Sequence, residues 1–159
     1  MSAKARPASG PGPVVARNPK ARFDFHILET WEAGIVLTGS EIKSARAGKV
    51  SLKGAFGVIR GGEVWLEGMH IAEYEAGGYA NHAAERARKL LLHKYQVRRL
   101  IGALQQKGLT LVPLDLHLSD GWAKVTVGLG RGKKQHDKRE ALKRREADRE
   151  AARAVGKYR

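Results

Sequence analysis

The chain has 159 residues, enough for one domain with a real core, and no cysteine, which excludes a disulfide framework and a thiolate metal site. Its formal charge of +14 sits at the ends: residues 1–22 hold five Lys/Arg and no acid, residues 131–159 hold twelve against five acids, and the stretch between holds thirteen against eleven. Basic ends on a balanced centre suit a polyanionic partner, nucleic acid or anionic lipid; the lack of a long apolar run or apolar leader weakens a membrane reading, so a cytoplasmic protein is expected.

Residues 1–17 are rich in Pro, Ala, Gly and Ser and can bury no face, so a disordered basic extension is expected. Phe23, Phe25 and Ile27 alternate, which predicts a strand over 23–29, and Ile35-Val36-Leu37 reads as its hairpin return after Glu32-Ala33-Gly34. Thr38 followed by Glu41 forms a capping box for a short helix that turns Ile42 and Ala45 inward and ends at Gly48. A meander follows: a strand over 55–60, a Gly61-Gly62 turn, and a return strand over 64–71 that carries Trp65 into the core. The polar, Gly-rich run 73–86 is a long loop.

Arg88-Lys89-Leu90-Leu91-Leu92 fits a buried strand or a helix start equally well, and in either case Leu91 reads first as core. From His93 a helix is expected, because Val97, Leu100, Ile101 and Leu104 fall on one face, and Gly108 closes it. Two more strands, 109–114 and 123–127, meet at a Ser119-Asp120-Gly121 turn. About six strands and two short helices with short connections make a mainly β fold, a small antiparallel barrel of which the OB type is one form.

Gly128, Gly130 and Gly132 end the last apolar run and are expected to loosen the backbone. Four cations then fall between Lys133 and Arg139. The stretch is neither a P-loop, since Val127 and Lys134 occupy the positions of Gly and Ser/Thr, nor a dinucleotide fingerprint, whose third glycine would come one residue later. A basic arm behind a flexible joint suits a phosphate-rich site. Beyond it, residues 139–155 have high helix propensity and i, i+4 pairs such as Glu140/Arg144, but an apolar face of mainly alanine. Such a tail is expected to be disordered alone and helical inside a partner.

No catalytic constellation stands out. There is no Gly-x-Ser-x-Gly elbow and no carboxylate pair in an apolar setting, and His136 and Asp137 point apart on a helix. The histidines lack a His-Glu-x-x-His spacing, so no metal and no cofactor are expected. The chain reads as a binding module rather than an enzyme.

Gly-Lys-Lys-Gln-His-Asp-Lys-Arg at 132–139 resembles the hallmark of the bacterial SsrA-binding protein (small protein B) family. Asn18-Pro19-Lys20-Ala21-Arg22, Glu32-Ala33-Gly34-Ile35, Glu41-Ile42-Lys43-Ser44, Arg46-Ala47-Gly48-Lys49 and Arg88-Lys89-Leu90-Leu91-Leu92-His93-Lys94 extend the resemblance, in order, from Asn18 to the end. It implies an OB-like RNA-binding barrel over 18–130 and a flexible basic tail over 131–159. It also implies an adaptor that binds the tRNA-like domain of transfer-messenger RNA and delivers it to stalled ribosomes, with the tail in the decoding centre and empty mRNA channel of the small subunit. The family positions matching Asn18, Glu32 and Leu91 serve RNA binding, and those matching Gly132, Lys133, Lys134, His136, Asp137, Lys138 and Arg139 serve the ribosomal step.

On physical grounds Asn18 can donate to and accept from a base, Glu32 can accept from a base amine or orient Arg22, Leu91 can pack beneath an unstacked base, and Phe25 can stack. Lys20, Arg22, Arg46, Arg88 and Lys89 are expected phosphate contacts. The chain departs from the family at Phe23 and Phe25, where His and Tyr are usual, and at Pro19 and Ser40. A monomer is expected. A ribosomal protein or a general OB-type RNA chaperone would share the charge and the barrel but would not need the 132–139 motif.

Overall fold

The structure, a computed structural model, describes residues 12–74, 81–119 and 121–157. Parts of the expected N-terminal extension (1–11), of the long loop (75–80), of the last turn (residue 120) and the final two residues lie outside that set. Among the described residues the order is β1 (Val14–Arg17), α1 (Pro19–Asp24), β2 (Phe25–Ile35), α2 (Gly39–Arg46), β3 (Val50–Ser51), β4 (Phe56–Arg60), β5 (Glu63–Glu67), β6 (His70–Ile71), β7 (Arg88–Leu91), α3 (Lys94–Leu104), β8 (Leu109–Ser119), β9 (Trp122–Gly132) and α4 (Gln135–Lys157).

The sheet closes on itself. Strands run β8-β4-β5-β7-β2-β9, and β9 pairs back onto β8, giving a six-stranded antiparallel ring of the OB-like kind. Closure removes the unpaired edges an open sheet would leave. Leu66, Met69, Ile71, Leu111, Leu116 and Val125 fill the inside, and Leu100 of α3 packs into the same core. No helix among the described residues is long and apolar enough to cross a membrane.

Local chemistry explains the elements that the sequence announces. Thr38 accepts from the Glu41 N–H and the Glu41 carboxylate accepts from the Thr38 N–H at 2.9 Å, so the capping box starts α2. Gly61 and Gly62 both have positive φ, the conformation that a tight hairpin between β4 and β5 requires. Ser40, one of the departures from the family pattern, holds the Nδ1 of buried His82 at 2.8 Å, while His82 Nε2 meets the Ile71 carbonyl at 2.9 Å.

Several expectations are corrected. Val14–Arg17, placed in a disordered extension, forms β1 against β8. Phe23 belongs to α1, which Pro19 opens at its first turn, so the alternating run starts only at Phe25. β2 then continues through Glu32-Ala33-Gly34 without a turn, because Ala33 and Ile35 both point into the core. Trp65 is half-buried on the outer side of β5, whose inward residues are Val64 and Leu66.

The glycines before the tail are not a joint. Gly128, Gly130 and Gly132 lie within β9, which is paired with β2 on one edge and β8 on the other. Gly128 and Gly130 make room for side chains crossing from β2: a Cβ on Gly128 would come within 3.0 Å of Ile27, and one on Gly130 within 2.8 Å of the Phe25 Cβ. Gly132 has nothing within 4 Å of that point. Gly130→Ala is therefore expected to destabilise the fold by about 1–3 kcal/mol, as overpacking does, and to displace Phe25, whereas Gly132→Ala leaves the fold unchanged. Denaturant melts of the two variants check this, and equal midpoints would refute it.

α4 is a continuous helix of 23 residues. From Leu142 to Ala154 every residue is exposed, in keeping with an apolar face of mainly alanine that has little to bury.

Candidate nucleic-acid interface

Two grooves flank β2. The first is lined by Asn18, Lys20 and Ala21 of the α1 segment, Asp24, Phe25, Lys53 and Phe56 among others. Lys20 is exposed, Phe25 half-buried, and Phe56 is one of the exposed large apolar residues. Two cations beside two partly open aromatic rings form a surface on which phosphate and base can both find partners. Lys53 and Phe56 had no motif to mark them in the sequence.

Asn18 forms part of the wall of that groove and turns its donors inward. It is buried, and its Nδ2 donates to the Leu52 carbonyl at 3.2 Å and the Pro113 carbonyl at 2.9 Å. Its own N–H donates to the Leu114 carbonyl at 2.9 Å. Both amide hydrogens are thus spent inside the fold, clamping the start of α1 onto β8.

The second groove is lined by Glu32, Glu63, Lys89, Leu91, His93 and Lys94, with Gln96 and Val97 at the α3 end. Leu91 is 51% exposed, which overturns its reading as core: in β7 the leucines alternate, Leu90 inward and Leu91 outward. Leu91 pairs with Gly34 across β2, two residues from Glu32 on the same face. Lys89 is ion-paired with Glu63.

Glu32 is exposed and meets the Lys124 Nζ at 3.0 Å, not Arg22. His117 Nε2 lies 3.3 Å from its other oxygen. The hydrogen bond from Lys124 lowers the Glu32 pKa below the usual carboxylate value against the opposing effect of partial burial, and His117 adds to the lowering.

Arg88 is not a phosphate contact. It is fully buried, its Nε bonded to Glu41, its Nη1 to the Met69 carbonyl at 2.7 Å and its Nη2 to the Ala84 carbonyl at 3.1 Å. Arg86 bonds the other Glu41 oxygen. Arg22 is exposed on α1, and Arg46 is exposed at the end of α2, outside the lining of either groove.

The tail motif begins at the barrel wall. Lys133 donates its N–H to the Asp24 carbonyl at 2.8 Å, and Lys138 Nζ lies 3.4 Å from the Asp24 carboxylate. Asp137 meets His26 Nε2 at 3.3 Å and accepts from the Lys134 N–H at 3.3 Å. The His26 contact and that N–H lower the Asp137 pKa. Arg145 lies over the Phe23 ring at 5.6 Å. His136 and Arg139 are exposed on the first turns of α4, and Lys134 is exposed just before it.

Against known proteins, the profile described as SmpB protein matches residues 15–157. The chain belongs to the SmpB family.

Among its relatives, the SsrA-binding protein of Gloeothece citriformis (strain PCC 7424) is 52% identical over 151 residues, covering 94% of this chain and 97% of the relative. That of Shouchella clausii (strain KSM-K16) is 57% identical over 144 residues, covering 91% and 92%. A solved chain of tmRNA-SmpB in the bacterial ribosome is 52% identical, with a TM-score of 0.66, over 82% of this chain and 95% of that one. The family match takes in both grooves and the tail motif, so the SmpB resemblance read from 132–139 holds along the barrel as well.

Proposed function

We propose that this SmpB-family chain is an RNA-binding adaptor and not an enzyme. Its barrel binds the tRNA-like domain of transfer-messenger RNA, and its tail occupies the decoding centre and empty mRNA channel of the small subunit, so that a stalled ribosome is rescued and its incomplete peptide tagged. It acts in the cytoplasm as a monomer.

The observation that carries this reading is one family match spanning two unlike surfaces: open grooves on a barrel, and a basic motif on the first turns of an exposed helix. The relatives' name and the ribosomal setting of the solved chain supply the partners. In the first groove Lys20 and Lys53 hold phosphate while Phe25 and Phe56 offer apolar faces to bases. In the second, Leu91 offers a packing surface and Glu32 accepts from a base donor. A carboxylate facing RNA repels it unless it finds such a donor, so Glu32 contributes selectivity more than affinity. At the start of the tail, Lys134 and Arg139 suit phosphates and His136 suits stacking on an exposed base.

Two binding measurements test the barrel half. A chain lacking residues 133–159 is expected to keep its preference for the tRNA-like domain over ordinary tRNA. Glu32→Gln is expected to weaken that binding by about 1–3 kcal/mol, the scale of a charge-assisted hydrogen bond left unmade. A truncated chain without discrimination would end the division of labour. A Glu32→Gln variant that binds all RNA more tightly would reduce Glu32 to a charge offset. Equal affinity for random RNA of the same length would favour a general RNA chaperone.

A further inference from the structure

Behind Glu32 lies a polar cluster that neither groove uses. His117 of β8 is 2% exposed, and each of its ring nitrogens faces a carboxylate. Nδ1 is 2.9 Å from Asp115 Oδ1 and Nε2 is 3.3 Å from Glu32 Oε2. Asp115 Oδ1 also accepts from the Thr126 hydroxyl at 3.1 Å. Strand register accounts for the grouping: Glu32, Thr126 and Asp115 form one row across β2, β9 and β8, and Gly34, Lys124 and His117 form the next row on the same face. On the other side of β8, β1 places Val14 opposite His117 and Arg17 opposite Asp115.

We propose that His117 is a positioning residue for RNA recognition, which as an imidazolium bridges Asp115 to Glu32 and fixes the direction in which Glu32 presents its free lone pairs. The proposal rests on the reading of Glu32 as an RNA contact. A carboxylate only accepts, and a neutral imidazole has one N–H, so with a neutral ring one of the two carboxylates faces a lone pair. Both contacts become hydrogen bonds only when both nitrogens carry protons. Lys124 holds Glu32 from the solvent side, but a surface ion pair between long side chains is a weak restraint. The buried ring, itself held through Asp115 and Thr126, is the rigid one. The charged groups around the ring are Asp115 and Glu32 in contact with it, Lys124 opposite it on β9, and Arg17 of β1 opposite Asp115.

The test compares the full chain with His117→Phe and Glu32→Gln. It reads the ratio of affinities for a transcript of the tRNA-like domain and for ordinary tRNA. His117→Phe is expected to be less selective than the unaltered chain by on the order of tenfold. If Glu32→Gln loses selectivity while His117→Phe keeps it, His117 does not position it. If Glu32→Gln itself changes nothing, the Glu32 reading fails and this proposal falls with it. Should His117→Phe not fold, nitrogen NMR of the unaltered chain decides. Two protonated ring nitrogens on His117 are expected, and a single one overturns the bridge.

Discussion

Replacing Asp137, Lys138 and Arg139 with alanine is expected to abolish peptide tagging on stalled ribosomes while leaving the binding of the tRNA-like domain unchanged. The barrel grooves lie on other residues, so the gel shift has no reason to move. The tail, by contrast, loses two phosphate-directed cations and the carboxylate that receives the Lys134 N–H at the start of α4. The same substitutions remove the contacts to Asp24 and His26, and with them most of the hold the barrel has on the helix. Amide exchange in the free protein should show little protection beyond Arg139, because an exposed helix with a mainly alanine face has little but local bonds to stabilise it. Tagging at the unaltered rate by the triple variant would reduce the motif to a solvated charge run.

The second large effect is on stability. Arg88→Met is expected to destabilise the chain by about 3–5 kcal/mol, because it leaves a buried Glu41 without one of its two guanidinium partners. For a domain of this size that is a fall in melting temperature on the order of 10 °C. Removing the charge as well, in Glu41→Gln/Arg88→Met, should cost less than the sum of the single changes, since the two groups are each other's partners. Strict additivity in that double-mutant cycle would show that the pair does not couple.

The acid response has a definite sign. Burial pushes the Glu41 pKa up, but Arg86, the Thr38 N–H and Arg88 together hold it below its ordinary value. A carboxyl with a depressed folded pKa contributes stability that is fully present above its unfolded pKa, about 4.3, and is lost as pH falls through the folded one. Glu41→Gln should therefore flatten the part of the acid unfolding profile below about pH 4.

What could be read from the sequence was what lies within a few residues. The Thr38–Glu41 box, the Gly61-Gly62 turn and the apolar face through Val97 and Leu100 each depend on neighbours in the chain, and each is in the structure. What could not be read was set by partners far along the chain. Arg88 in a short strand looks like a surface cation, and nothing nearby discloses that Glu41 waits for it inside the barrel. Leu91, one of three consecutive leucines, faces outward only because β7 places Leu90 inward. The glycines of β9 resemble a hinge until Phe25 and Ile27 are seen crossing above them. Lys53 and Phe56 sit beside Lys20 because the barrel curves, and the docking of Asp137 and Lys138 on His26 and Asp24 joins residues of α1 and β2 to a helix more than a hundred positions later.

β9 is paired with β2 up to Gly132 and with β8 up to Arg131, so Lys133 and Lys134 alone separate the barrel wall from α4. The helix that follows has 23 residues and, at 1.5 Å for each, is a lever about 35 Å long. A change of only about 10° at its root carries the tip through about 6 Å, more than the rise of a helical turn. Two residues thus act as the bearing of a long arm, and the play in that bearing sets how finely the far end can be aimed.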